Sequence, residues 1–231
     1  MWLKDWEDLP SCMRTDAVRP YYDILKGRKA AIAVKRPFDI VMSVVIIIVL
    51  AIPMLVIAIM IKADDGGPVF FRQKRVTTYG RDFRIFKFRT MVVDAEKVGV
   101  QVTSQGDPRI TKVGGKLRRH RLDELPQIFN VFAGDMSLVG TRPEVRKYVD
   151  AYSDEMMATL LLPAGVTSEA SIAYKDEDEL IGNAGDPDRI YIEKVLPEKM
   201  RYNLHSVREF SLGREFMLLF KTVAAVFGGK N

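Results

Sequence analysis

The chain has little of what several common architectures require. Its 231 residues include one cysteine, Cys12, and two histidines, His120 and His205. A lone thiol excludes a disulfide within the chain and suits a reducing compartment. So few thiols and imidazoles also exclude a His/Cys zinc cage, and any metal is expected to be a hard cation held by carboxylates. Neither an internal repeat nor a low-complexity tract is visible, and the length suits one domain of ordinary size plus a short appendage. A one-signed charge block is missing as well: the formal charge is +5, with lysines and arginines spread along the chain. Such a spread fits anionic lipid headgroups, phosphorylated substrates and nucleic acid alike. With no recognisable nucleic-acid module, and with aromatics set in apolar patterns rather than on a basic face, nucleic acid is the poorer fit.

What is present, and uncommon, is the run VMSVVIIIVLAIPMLVIAIMI from Val41 to Ile61. At about 21 residues without a charge it is long enough to cross a bilayer. It begins too late for a secretory signal and ends in Lys62-Ala63-Asp64-Asp65, so it is expected to stay in the mature protein. Lys26, Arg28, Lys29, Lys35 and Arg36 precede it, and Lys62, Arg72, Lys74 and Arg75 follow. The positive-inside rule draws both ends to the cytoplasm, which one straight span does not satisfy. Pro53 lacks an amide donor and crowds the carbonyl of Val49, so the helix is expected to kink or break at Ile52-Pro53 and return to the same side. A straight span with a tolerated proline is the competing reading. A buried core helix fits less well, because the run has no polar face.

Around this run the pattern is mixed. Trp2, Trp6, Tyr21 and Tyr22 lie in a charged N-terminal stretch that reads as membrane-interfacial or as a plain surface helix. Val69 to Val76 and Asp82 to Arg89 are expected as two strands around Tyr79-Gly80. Ile110 to Val139 mixes helical stretches with glycine-rich turns. Leu212, Phe216, Leu219, Phe220 and Val223 recur at helical spacing, giving a face for either the bilayer or the core.

The densest chemistry lies in LRRHRLDELPQIFNVFAGDMSLVGTRP, Leu117 to Pro143. Asp123 is a good N-cap residue and Pro126 suits a first helical turn, so Asp123 and Glu124 are expected at a helix start, where free amides favour a phosphate. One carboxylate could attack phosphorus while the other holds a cation against a diphosphate. Arg118, Arg119, Arg121 and Arg142 flank the pair, and guanidinium forks match phosphate oxygens. On spacing alone, a cap with a solvated neighbour explains the same residues.

The ordered segments KRPFD (Lys35 to Asp39), PVFFRQKR (Pro68 to Arg75), FKFRTM (Phe86 to Met91), DPRITKVG (Asp107 to Gly114), LDELPQIFNVFAGDMSLVGTRP (Leu122 to Pro143) and AGVTSEASI (Ala164 to Ile172) together resemble the bacterial sugar transferase family, the monotopic polyprenol-phosphate phosphoglycosyl transferases. The resemblance runs from about Lys35 to the C-terminus. It implies a re-entrant membrane helix and a Mg2+-dependent, two-step reaction through an aspartyl-phosphosugar. It makes Asp123 the nucleophile and Glu124 the magnesium-binding partner. Lys87, Arg118 and Arg142 fall at the family's phosphate-contacting positions. Lys175 stands where arginine is common, and an ammonium cannot fork. The sequence departs from the pattern at the membrane break, where Ile52 replaces the usual serine before Pro53. It departs again before Arg142, where Thr141 replaces a proline.

The expectation is therefore an α+β, mainly helical protein with a re-entrant membrane helix, a small hairpin and amphipathic interfacial helices around a cytoplasmic catalytic domain. Residues 1–34 form an N-terminal extension with no assigned function, 35–62 the re-entrant helix and 63–231 the phosphoglycosyl transferase domain. The expected substrates are a UDP-sugar and polyprenol (undecaprenyl) phosphate, with UMP released and a glycan assembly begun. The expected place is the bacterial inner membrane, among its lipids, with the catalytic domain on the cytoplasmic face. Two other readings are a membrane phosphohydrolase using the same dyad and a non-enzymatic basic membrane scaffold. The sugar, the glycan pathway and any homo-oligomer are left open by the residues.

Overall fold

The structure, a computed structural model, describes residues 2–95, 107–174 and 187–227. Helix α1 (Arg19–Lys26) leads into the long helix α2 (Lys29–Asp65). Strands β1 (Phe70–Val76) and β2 (Asp82–Phe88) then form an antiparallel hairpin, turning through Tyr79 and Gly80, both at positive φ. Helix α3 (Lys112–Arg119), a 3-10 turn (Leu122–Glu124) and helix α4 (Gln127–Ala133) follow. Strand β3 (Ser137–Val139) pairs in parallel with β4 (Gly165–Thr167), and α5 (Arg146–Val149) lies in the connection between them. After α6 (Glu169–Ala173), a helical turn Pro187–Ile190 passes through a π-helical turn, Tyr191–Val195, into α7 (Leu196–Arg208). Helix α8 (Leu212–Phe227) closes the described chain. The protein is mainly helical with small sheets, as its sequence pattern predicts.

Helix α2 explains the KRPFD segment. Its inward stripe runs through Ile32, Lys35, Asp39 and Ser43 to Met54, Ile57 and Ile61, the three- and four-residue spacing of a helix with one packed face. Lys35 Nζ donates to the Val139 carbonyl at 3.0 Å and to Glu215 Oε2 at 2.5 Å. Asp39 accepts from the Leu138 amide at 3.2 Å. Arg36 donates to the carbonyls of Val131 and Phe132 at 2.6 and 2.8 Å, adding to the bond that the Gly134 amide makes to Val131 at the C-terminus of α4. The other end of α2 is tied as well, by Asp64 to the Val113 amide and by a forked Arg89–Asp65 pair. Between these anchors Ile46 and Ile47 pack with Phe83, Ile85, Ile128 and Val131, and Leu50 and Met54 with Phe88 and Leu117. The opposite face of α2, with Val41, Val45, Ile48, Val49, Ile52, Leu55 and Ile59, is exposed. At 37 residues and high hydropathy, α2 is long and apolar enough to cross a membrane.

Two expectations change. Ile52 and Pro53, expected to mark a kink or a break, lie inside one helical run, as does Pro37, so the helix is not broken there. A proline removes a single amide donor, and the turns on either side keep theirs. Two of the N-terminal aromatics are neither interfacial nor on a plain surface helix, since Tyr21 and Tyr22 are buried with Leu25, Leu161, Val207 and Phe210. Trp6 packs edge-on against Tyr22, and only Trp2 is exposed. The alternation of charged and apolar residues there marks the two sides of a packed segment. For α8, the core-covering reading holds for one face, and the other is exposed. Leu218 is buried and Leu219 packs on the core, while Phe216, Met217 and Phe220 face outward; the side chain of Val223 lies outside those described.

The β3–β4 pair depends on two glycines. The Gly165 amide donates to the Thr141 carbonyl at 2.9 Å and the Gly140 amide to the Thr167 carbonyl at 3.0 Å. A β-carbon on Gly165 would lie 2.1 Å from the Gly140 nitrogen. Gly165→Ala is therefore expected to force the strands apart, costing about 1–3 kcal/mol and lowering Tm by several degrees. Thermal unfolding of purified protein checks this, and an unchanged Tm would contradict the close approach.

Candidate active site

The strand period sets Lys87. Phe83 and Ile85 point into the core beneath α4, and Lys87, two residues on, leaves the same face at the strand's end. Asn130 on α4 holds this strand in place. Its Oδ1 accepts from the Phe86 amide at 2.8 Å and its Nδ2 donates to the Arg84 carbonyl at 2.9 Å. Asp123 and Glu124 do not cap α4. They sit in the separate 3-10 turn, and α4 starts later, with Pro126 at its N-cap position. The turn is entered through Arg121 at φ 53, a left-handed conformation that costs a non-glycine residue about 1 kcal/mol or more.

This turn sets Glu124 between two cations. Lys87 Nζ donates to Glu124 Oε1 at 3.0 Å, and Arg142 Nη1 donates to Oε2 at 3.0 Å. Arg142 Nη2 donates to Oε1, completing a fork. Burial opposes the charge on Glu124, but Arg142 and Lys87 outweigh it and hold the carboxyl well below its usual range. Burial also pulls the Lys87 ammonium down, with Glu124 opposing and Arg142 assisting.

Asp123 shifts the other way. Its burial raises the carboxyl above the ordinary value and the Glu124 charge adds to this, while Lys87, Arg118 and Arg142 pull it down. The two adjacent carboxyls thus have opposite electrostatics: Glu124 is a fixed anion, and Asp123 is the more basic of the pair. A carboxylate that is desolvated and not itself gripped by a guanidinium fork suits nucleophilic attack.

Of the residues singled out from sequence, Lys87, Asp123, Glu124 and Arg142 meet here, and Arg118 reaches Asp123 by its field from the end of α3. Lys175 lies outside the described residues. Ile52 and Pro53 belong to α2, away from this ion cluster in sequence and role. Sequence reasoning missed Arg75, which donates to the Pro143 carbonyl at 3.1 Å and whose charge acts on Lys87. It also missed Asn130. Arg75 stands in the basic flank of the apolar run and at the end of PVFFRQKR, but nothing in linear spacing ties it to Arg142.

Among the described residues, no group of three or more His, Cys, Asp or Glu gathers as a metal site. Asp123 and Glu124 still fit Mg2+ in donor type, because that ion takes one or two carboxylates and completes its shell with water and substrate phosphate. Both Glu124 oxygens already accept from Lys87 and Arg142, so a cation would share Glu124 with them.

A carboxylate pair, one member held by a lysine and an arginine fork, thus stands on a turn whose Leu122 packs with Met54 and Ile57 of the long apolar helix. The chain belongs to the bacterial sugar transferase family, whose model matches residues 30–229. It is 38% identical over 199 residues to the UDP-N-acetylgalactosamine-undecaprenyl-phosphate N-acetylgalactosaminephosphotransferase of Aeromonas hydrophila, covering 85% of this chain and 44% of that protein. It is 36% identical over 218 residues to the UDP-glucose:undecaprenyl-phosphate glucose-1-phosphate transferase of Escherichia coli K12, covering 92% and 44%. Identity to the undecaprenyl-phosphate galactose phosphotransferase of Salmonella typhimurium is 31% over 215 residues, covering 87% and 42%. The chain thus spans less than half the length of these curated relatives.

The ion cluster makes a pH-dependent prediction. A carboxyl with a lowered folded value stabilises the fold above its unfolded value, and that contribution fades as pH falls through the folded one. Lys87→Met/Arg142→Met leaves Glu124 buried without a partner and is expected to cost about 3–5 kcal/mol near neutrality. The Tm gap from wild type should shrink as pH falls, first above the ordinary carboxylate range, where burial makes the unpartnered Glu124 protonate in the variant, and then below it, where wild type loses its own contribution. A gap independent of pH in thermal melts would remove Glu124 as its cause.

Proposed function

We propose that this chain transfers a phosphosugar from a UDP-sugar to undecaprenyl phosphate, releasing UMP and starting a glycan assembly. The observation that carries this is the paired carboxyls of opposite electrostatics, Asp123 and Glu124, set among Lys87, Arg118 and Arg142 in a chain of this family. An Asp123 oxygen attacks the sugar-bearing phosphorus of the diphosphate. The new O–P bond forms as the bond from that phosphorus to the oxygen of UMP breaks, leaving an aspartyl phosphosugar. An oxygen of the lipid phosphate then attacks the same phosphorus, freeing the Asp123 carboxylate and giving the lipid diphosphosugar. Lys87, Arg118 and Arg142 stabilise negative charge on the phosphate oxygens in both steps. Glu124, itself anionic, supports the charge on Lys87 and holds both Lys87 and Arg142 in place. It is also the residue that would hold Mg2+, which when bound supplies positive charge to the diphosphate. The relatives' names cover N-acetylgalactosamine, glucose and galactose.

Asp123→Asn is expected to abolish UMP release by several orders of magnitude with Tm nearly unchanged, because an amide is a poor nucleophile. Wild-type protein given UDP-sugar and Mg2+ without lipid should gain the mass of a phosphosugar on the peptide carrying Asp123. Full UMP release by Asp123→Asn would falsify the assignment. A phosphohydrolase would instead turn over steadily without lipid phosphate.

The same reading places α2 in the cytoplasmic leaflet of the inner membrane, with both ends on the cytoplasmic side. Its two ends are tied to one polar domain, at Lys35, Arg36 and Asp39 and again at Asp64 and Asp65, while the face between them is apolar and exposed. A helix crossing the bilayer outright would carry one of those ends away from the domain. Single cysteines at Lys26 and Lys74 in a Cys12→Ser background should both resist an impermeant thiol reagent in intact cells and react once the cells are opened. Labelling of either site from outside would overturn this topology.

A further inference from the structure

A second buried ion cluster lies next to the first, on the far side of Pro143. Glu144 is 6% exposed and Lys199 4%. Tyr191 donates to Glu144 Oε1 at 2.5 Å, and Lys199 Nζ donates to the same oxygen at 3.2 Å and to the Tyr191 hydroxyl at 2.8 Å. Arg75 Nη1 stands 3.9 Å from Glu144 Oε2. Buried ion pairs of this kind are often replaceable by apolar side chains without loss of stability, so stability alone gives a weak reason for one here.

The backbone supplies a better reason. The Thr141 carbonyl is held by the Gly165 amide at 2.9 Å, and the Glu144 carbonyl by the Val76 amide at 2.9 Å. The Pro143 carbonyl is held by Arg75 at 3.1 Å. Proline fixes its own φ and keeps the residue before it extended, so Arg142-Pro143-Glu144 is a stiff link. Where the Glu144 carboxylate is pinned, the start of the Arg142 side chain is pinned too. Arg142 then reaches Glu124 as a fork.

The π-helical turn fits this role. Tyr191 and Lys199 are eight residues apart, which in an α-helix sets them about 80° apart around the axis. The wider turn over Tyr191–Val195 advances less per residue, and across its length it removes most of that offset. Tyr191 and Lys199 therefore converge on one carboxylate.

We propose that Glu144, clamped by Tyr191 and Lys199, is a positioning residue that sets Arg142 over Glu124 and the substrate phosphates. This rests on the transferase reading above. Glu144 touches no reacting atom, so its effect must pass through Arg142. The test is a cycle on the full chain: UMP release from UDP-sugar by wild type, Glu144→Gln, Arg142→Lys and the double variant. Glu144→Gln should lower kcat about ten- to hundredfold, with KM for the UDP-sugar changed far less. In the Arg142→Lys background, where the fork is already lost, the same substitution should change kcat by less than about twofold. Losses that multiply in the double variant, or an unchanged kcat in Glu144→Gln, would overturn the proposal. Should Glu144→Gln fail to fold, Tyr191→Phe removes one hydroxyl from the clamp. It should show a smaller kcat loss that again disappears in the Arg142→Lys background, and multiplying losses would count against the proposal in the same way. A wild type that releases no UMP overturns the transferase reading itself, a result distinct from a multiplicative cycle in an active enzyme.

Discussion

The site depends on one constraint: a carboxylate taken out of water must be met by cations or it will not stay charged. The Glu124 side chain is only 15% exposed, and its partners come from distant parts of the chain, Lys87 from the end of β2 and Arg142 from the loop after β3. Satisfying that one anion fixes the hairpin, the 3-10 turn and the β3 loop relative to each other. Asp123, carried on the same turn, is then placed among positive charges that are engaged by its neighbour. The pair divides its labour through environment, since two identical carboxyl chemistries one residue apart are pushed in opposite directions.

The long helix answers to a different constraint. Its apolar residues would collapse or aggregate in water, yet one of its faces carries Lys35, Asp39 and Ser43, buried and hydrogen-bonded. Those polar groups make α2 part of the domain rather than a tether to it. Arg36 closes the C-terminus of α4, and α4 in turn holds β2 through Asn130. The apolar helix and the ion cluster are thus linked by a short chain of hydrogen bonds.

Much of this was legible in the residues. The hairpin followed from alternation around Tyr79-Gly80, and Asp123 and Glu124 were found because two carboxyls stood amid arginines beside a proline-marked helix start. The start itself was misplaced: Pro126 belongs to the N-cap of α4, and the carboxyls fall in the turn before it. The N-terminal aromatics were misread because their charged neighbours resemble a wet surface. Tyr21 and Tyr22 lie on the dry side of a short helix, a distinction that depends on what covers them. Glu144, Tyr191 and Lys199 left no linear trace, since each is an ordinary residue in its local pattern.

What the sequence by itself determined is local and periodic: the apolar length of α2, the strand alternation, and the residue types able to handle phosphate. These follow from side-chain chemistry repeated at fixed spacing. What only the tertiary structure decided is which charges meet. Ion pairs between β2, the 3-10 turn and the β3 loop join positions far apart in the chain, and burial strengthens them by excluding water. Neither separation nor burial can be read from spacing, because both arise only when α2 and the hairpin have packed on α4.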